Sequence, residues 1–235
     1  MEFLSYSNKG SKNINEDAYF TSDQFCIICD GVGGNAYGEV ASKLAVDACN
    51  TFLSQSRVIS NGSECITECM QYCFTKFKEW SAQHPETASM STTIVLLVWT
   101  KSGVSIAWLG DSRLYHIRDK EIRFVTEDHS LLNELKQQEK DIDIDTLKIR
   151  NYITKSLQTN KLHAASYHEI PISEMQADDY FFICTDGVLE NLTQLQIETF
   201  FTKTKEIDEI SKAIKACCEN KTKDNYSYTI IKLDK

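Results

Sequence analysis

Two Asp-Gly pairs, Asp30-Gly31 and Asp186-Gly187, each follow directly on a run suited to a buried strand. These runs are Phe25-Cys26-Ile27-Ile28-Cys29 and Tyr180-Phe181-Phe182-Ile183-Cys184-Thr185. A core strand needs such a run, and glycine straight after it lets the backbone turn or approach a ligand closely. Further carboxylates sit in Asn15-Glu16-Asp17, in Gly110-Asp111-Ser112-Arg113 and in Asp224-Asn225, again at expected strand ends. Taken singly, each Asp-Gly or Gly-Asp is what a turn uses. If they converge, carboxylates without a cation repel and raise one another's pKa, so a divalent ion is their natural partner. Oxygen donors with no histidine cluster favour Mg²⁺ or Mn²⁺ over zinc.

The elements that must position these residues are legible from periodicity. Segments 2–7, 17–21 and 25–29 read as an opening antiparallel set of strands. Two helices are expected next, over 37–54 with Val40, Leu44, Ala48 and Phe52 on one face, and over 63–82 with Ile66, Met70, Phe74 and Phe77. Segments 91–100, 103–109, 113–118 and 121–125 then read as strands joined by brief turns in a meander. Residues 130–150 are polar with weak periodicity and are expected to form a mobile surface insertion. A strand at 180–185, helices near 193–203 and 206–219 and a last strand at 226–233 complete the chain. Strands grouped with paired helices, rather than alternating one by one, predict an α+β fold with sheet packed on sheet and helices outside.

Bulk properties narrow the function. With 235 residues, two prolines, nine glycines and no repeat or linker, residues 1–235 read as one domain. The formal charge of −9, with 25 basic residues scattered among 34 acidic ones, disfavours nucleic acid, whose phosphates need clustered Lys and Arg. No signal-like start and no stretch approaching a membrane span is present, so a cytoplasmic protein is expected. Nine cysteines is an odd count, and Cys65, Cys69 and Cys73 fall on one helix face as small apolar side chains. Cys26 and Cys29 sit three apart on a strand and point to opposite faces, which defeats a chelate.

In order along the chain stand Lys12-x-x-Asn15-Glu16-Asp17, Asp30-Gly31-Val32-Gly33-Gly34 with Gly38-Glu39-Val40-Ala41-Ser42, and Ser91-Thr92-Thr93. They are followed by Gly110-Asp111-Ser112-Arg113, Asp128-His129-Ser130, Thr185-Asp186-Gly187-Val188 and Asp224-Asn225. With these motifs the chain resembles the metal-dependent Ser/Thr protein phosphatases of the protein phosphatase 2C (PPM) family, in their compact bacterial form, nearly end to end. The resemblance implies a four-layer α-β-β-α sandwich, two antiparallel sheets flanked by helices, whose cleft holds two Mn²⁺ or Mg²⁺ ions bridged by a water. It implies Asp30 between both ions, Asp186 and Asp224 on the first, the Gly31 carbonyl and Glu16 on the second, and Asp17 acting through water. Asp111 would help hold a third, weaker ion. Catalysis is then expected to rest on Asp30, Asp186 and Asp224. Two such cations, about 3.5 to 4 Å apart, activate a shared water and stabilise an in-line displacement at phosphorus, so no phosphoenzyme is needed. The implied partners are phosphorylated proteins, those of a cognate Ser/Thr kinase included, met by a monomer without nucleic acid or membrane.

Two positions depart from the family's pattern. Lys12 stands where arginine is usual and would grip the substrate phosphate, but as a point charge rather than a fork, unless Arg113 compensates. Val32 occupies the place where some members carry a histidine as general acid; His129 is a candidate local acid, although a histidine in an Asp-His-Ser turn is more often structural. The alternatives are a non-catalytic binding module of the same fold, or a phosphatase of small phosphorylated molecules. Asp141-Ile142-Asp143 looks like an aspartyl-nucleophile signature, but polar residues Lys136 to Lys140 precede it instead of an apolar strand.

Overall fold

Side-chain alternation along the buried strands sorts the molecule into layers. In β3 (Phe25–Asp30), Phe25, Ile27 and Cys29 join one apolar cluster while Cys26 and Ile28 join another. β5 (Ile94–Thr100) does likewise, with Ile94, Leu96 and Val98 opposed to Val95 and Leu97. β11 (Tyr180–Cys184) splits Tyr180, Phe182 and Cys184 from Phe181 and Ile183. Successive side chains alternate faces, so strands buried on both faces require a covering layer on each side.

The structure, a computed structural model, describes residues 1–32, 37–55, 59, 61–137, 152–202 and 206–234. One five-stranded sheet has the order β1 (Glu2–Asn8), β12 (Tyr226–Lys232), β11, β7 (Arg113–Arg118), β8 (Glu121–Val125). The second has the order β10 (Ser166–Pro171), β6 (Gly103–Leu109), β5, β3, β2 (Asp17–Thr21). All of these pairs are antiparallel. The two-residue strands β4 (Ser91–Thr92) and β9 (Leu157–Gln158) pair separately. Helices α1 (Gly38–Leu53) and α2 (Gly62–Gln83) cover the second sheet. The one-turn α4 (Asp186–Leu189), α5 (Gln194–Phe200) and α6 (Ile207–Cys218) cover the first, and a third apolar cluster fills the space between the sheets. Side chains cap the starts of two of these helices. Asn61 Oδ1 accepts the Glu64 N–H at the start of α2, and Thr193 with Gln196 forms a capping box on α5.

The α+β sandwich is as expected, and four details differ. β1 does not pair with β2 but lies beside β12, so the opening strands are divided between the sheets. The run from β4 to β8 is no single meander, because the chain leaves the second sheet after β6 and enters the first at β7. On α1 the buried face is centred on Ala41, Ala45, Ala48 and Cys49, while Val40, Leu44 and Phe52 lie at its margin. Small residues are what close packing of α1 against α2 and the sheet admits, and a hydrophobicity pattern weights them too little. β10 carries the half-polar sequence Ser-Tyr-His-Glu-Ile-Pro and gave no strand signal, since an edge strand needs only one buried face. Of the expected insertion, α3 (Leu131–Gln137) is helical; residues 138–151, with the Asp141 to Asp145 run, and Gly33 and Gly34 lie outside the described residues.

Candidate metal centre

The layer between the sheets changes character toward one edge. Its centre is apolar, with Ile28, Phe181 and Ile183. Farther along, hydroxyls replace carbon: Ser5 Oγ lies 2.8 Å from Thr229 Oγ1 and 3.0 Å from Thr21 Oγ1, and Ser227 Oγ donates to Ser7 Oγ over 2.7 Å. Thr185 Oγ1 donates to Asp17 Oδ2 over 3.1 Å, and there the carboxylates begin. Strand ends from both sheets supply them. Asp17 opens β2, Asp30 closes β3, Asp111 follows β6, Asp186 follows β11 at the start of α4, and Asp224 precedes β12.

Asp17 and Asp30 are direct partners across β2 and β3. Like charges directly opposed in a sheet destabilise it. Burial first, and then the charges of Asp17, Asp186, Asp111 and Asp224, push the Asp30 carboxyl well above the usual range. Burial also raises Asp17, with Asp186 and Asp224 adding to it against the hydrogen bond from Thr185. Asp111 is raised by burial and by Asp186 and Asp128, and Asp186 by burial and Asp224. For Glu16, burial is joined by the charge of Glu39. The carboxylates singled out in the sequence therefore act on one another as a single cluster.

The residues present fit a divalent cation. Asp17 Oδ1 is buried and carries no hydrogen bond, leaving an acceptor aimed at something other than protein. At Gly31 an added Cβ would lie 2.4 Å from the Gly38 carbonyl group, so only glycine allows α1 to close over this turn. Gly187 is as confined, with the Asn225 carbonyl oxygen 1.9 Å from where a Cβ would stand.

Supporting groups hold the turns. The Asp30 N–H donates to Thr93 Oγ1 at 3.0 Å, Thr92 Oγ1 donates to the Asp30 carbonyl at 2.8 Å, and Thr93 Oγ1 lies 2.8 Å from Ser112 Oγ. Asn225 Oδ1 accepts the Glu16 N–H at 2.8 Å, and its Nδ2 donates to the carbonyls of Lys9 and Ile14. Asn225, Thr93 and Thr185 lie inside the motifs, yet no sequence signal distinguished their roles, because each acts by bonding to a residue far along the chain.

The cations at the site are differently placed. Lys12 Nζ lies 3.1 Å from Asp224 Oδ1, and both side chains are more than two-fifths exposed. Arg113 is committed: its Nε and Nη2 donate to the two oxygens of Asp128 at 2.7 and 2.6 Å. It does not replace a phosphate-gripping arginine. His129 Nδ1 accepts the Gly110 N–H at 3.2 Å, which puts the proton on Nε2, 2.8 Å from Ser166 Oγ. Burial and then Lys155 pull its pKa down to about 4, so it is a neutral structural group rather than an acid.

Comparison with known proteins places these observations. A family profile described as protein phosphatase 2C matches residues 6–219. The serine/threonine phosphatase stp of Listeria welshimeri is 26% identical over 78% of this chain and 73% of its own length. The crystal structure of the Mycobacterium tuberculosis serine/threonine phosphatase PstP/Ppp superposes with a TM-score of 0.87 at 20% identity, covering 100% of this chain and 99% of that one. The catalytic domain of a serine/threonine protein phosphatase PstP in complex with two manganese ions superposes at 0.84 and 20% identity, over 100% and 98% of the two chains.

Proposed function

The chain belongs to the protein phosphatase 2C family, and from that premise we propose that it is a metal-dependent protein-serine/threonine phosphatase whose residues 1–235 act as one catalytic domain in the cytoplasm. The observation that carries this reading is the buried carboxylate cluster with its orphaned Asp17 Oδ1, a costly arrangement that a cation neutralises. Glu16, Asp17, Asp30, Asp186, Asp224 and the Gly31 carbonyl would hold two Mn²⁺ or Mg²⁺ ions, with Asp111 serving a third. When bound, such ions activate water at neutral pH and neutralise charge building up on a phosphoryl group.

The chain's own residues then have distinct tasks. Thr92, Thr93 and Ser112 fix the Asp30 peptide, Thr185 fixes Asp17, and Asn225 binds the loop carrying Glu16 to the one carrying Asp224. Lys12 lies at the exposed margin, where its ammonium can leave Asp224 for an incoming phosphate. With Val32 apolar and His129 held neutral, neither of these side chains supplies a proton to the leaving serine or threonine. Phosphoproteins modified by a Ser/Thr kinase are the proposed substrates.

Hydrolysis of p-nitrophenyl phosphate and of a phosphothreonine peptide, with Mn²⁺ added or chelated, tests the proposal. Wild type is expected to turn over both only with metal. Asp30→Asn is expected to lose more than about 100-fold, the upper end for removing a mere outer-shell partner of a metal ligand. No metal-dependent turnover by folded wild type would leave the binding-module reading; turnover of the small ester without the peptide would move the substrate to small phosphorylated molecules.

A further inference from the structure

Cys49 on α1 and Cys69 and Cys73 on α2 meet in the core that these helices share with the second sheet, and each is 0% exposed. Cys49 Sγ lies 3.3 Å from Cys73 Sγ and 3.6 Å from Cys69 Sγ. The proposed phosphatase chemistry uses none of them. We propose that Cys49 is the hub of an oxidisable thiol trio that closes a disulfide with Cys73 in the presence of hydrogen peroxide and ties α1 to α2.

Geometry singles out the hub. Cys69 and Cys73 are one turn apart on the same helix, where Cβ atoms are separated by about 5–6 Å. A disulfide needs about 3.5–4.5 Å between them. Any bond within the trio therefore includes Cys49. The surroundings select the product. Ala45, Ile66 and Met70 belong to the same cluster, and a disulfide is neutral, whereas a soft cation would require buried thiolates there. Cys73 Sγ is the nearer sulfur to Cys49 Sγ, at 3.3 Å against 3.6 Å for Cys69, so Cys73 is the partner assigned to the cross-link.

The steps balance. The Cys73 thiolate attacks one peroxide oxygen, the O–O bond breaks, a sulfenic acid forms, and the hydroxide released takes up a proton. Cys49 then loses its proton and attacks that sulfur, the S–O bond breaks, and a second water leaves. Two electrons pass from the two sulfurs to the peroxide, which ends as two waters. Because the trio is closed to solvent, the reaction proceeds through local opening of α1 from α2.

The test treats the metal-loaded protein with hydrogen peroxide, alkylates the remaining thiols and maps unreduced peptides by mass spectrometry. Wild type should yield a Cys49–Cys73 link, Cys73→Ala a Cys49–Cys69 link in its place, and Cys49→Ala neither, while Cys49→Ala keeps wild-type turnover of p-nitrophenyl phosphate. The two cysteines are 24 positions apart, and closing a loop of that size should raise the melting temperature by on the order of 5–10 °C, reversed by dithiothreitol. Thiols of the trio that stay free, or oxidise without cross-linking, in wild type would overturn the proposal. So would a soft metal that wild type retains and Cys49→Ala lacks, with no cross-link formed.

Discussion

At Lys12 a single ammonium faces Asp224, where an arginine would present a planar fork of donors. A bidentate grip on phosphate adds about one charge-assisted hydrogen bond, and ~1.4 kcal/mol is a factor of ten in affinity. Lys12→Arg is therefore expected to lower KM for a phosphopeptide by about tenfold with a smaller effect on kcat; an unchanged or higher KM would count against the role given to Lys12. Thr93 is the second residue whose chemistry is exposed to test. Its hydroxyl accepts the Asp30 N–H and meets Ser112 in a buried setting, so Thr93→Val strands both partners. Leaving a buried polar group unsatisfied costs about 1–3 kcal/mol. Urea melts should show that loss, and Mn²⁺ titration of activity should show a weaker apparent affinity because Asp30 is no longer held.

Among the elements, the junction of β3 and α1 governs the site most directly. α1 starts at Gly38, whose backbone rests on Gly31, and a Cβ built on Gly38 would stand 2.8 Å from Glu16 Oε1. Gly31→Ala drives a methyl into helix backbone that cannot rotate away, so α1 must shift. Overpacking of this kind costs about 1–3 kcal/mol, and the shift also displaces Glu16 and the Gly31 carbonyl. Metal-dependent turnover should fall more steeply than stability; an alanine variant with wild-type turnover would show that α1 is not the lid on this turn. Of the strands leading to the site, β3, β6 and β11 were legible because they are buried on both faces and read as largely apolar runs. The division of β1 from β2, and of β6 from β7, was not, since pairing partners depend on which sheet each strand joins and not on its own residues.

For the molecule as a whole, acid should destabilise the metal-saturated protein in two stages. His129 is held neutral with a pKa of about 4 in the folded chain, against about 6.5 unfolded. Between those values the unfolded state takes up a proton that the folded state refuses, so stability falls as pH drops through that window. Asp179 adds the second stage. Burial opposes its charge, but Arg118 and His116 donate to both its oxygens and hold its pKa below the ordinary value. Its contribution is full above an unfolded pKa of about 3.9 and is lost as pH falls below it. Urea midpoints measured with saturating Mn²⁺ should decline from pH 7 to 4 in wild type and less so in His129→Gln, with the steeper loss below pH 4 reduced in Asp179→Asn. A flat wild-type profile would contradict both assignments.

The sequence by itself determined the chemistry available. The strand-end carboxylates, the glycines beside them and the order of the motifs are local facts, and the family resemblance they carry implied the layered fold and the ligand candidates. Tertiary structure decided what no local pattern contains: that Asp17 faces Asp30 with one oxygen unpartnered, that Arg113 is already engaged by Asp128, that His129 is locked neutral, and that Cys49 reaches two thiols on another helix. The reason is the same in each case. A residue's type and its neighbours in the chain set what it can do, but its charge state and its partners come from groups brought to it across the two sheets and between the helices.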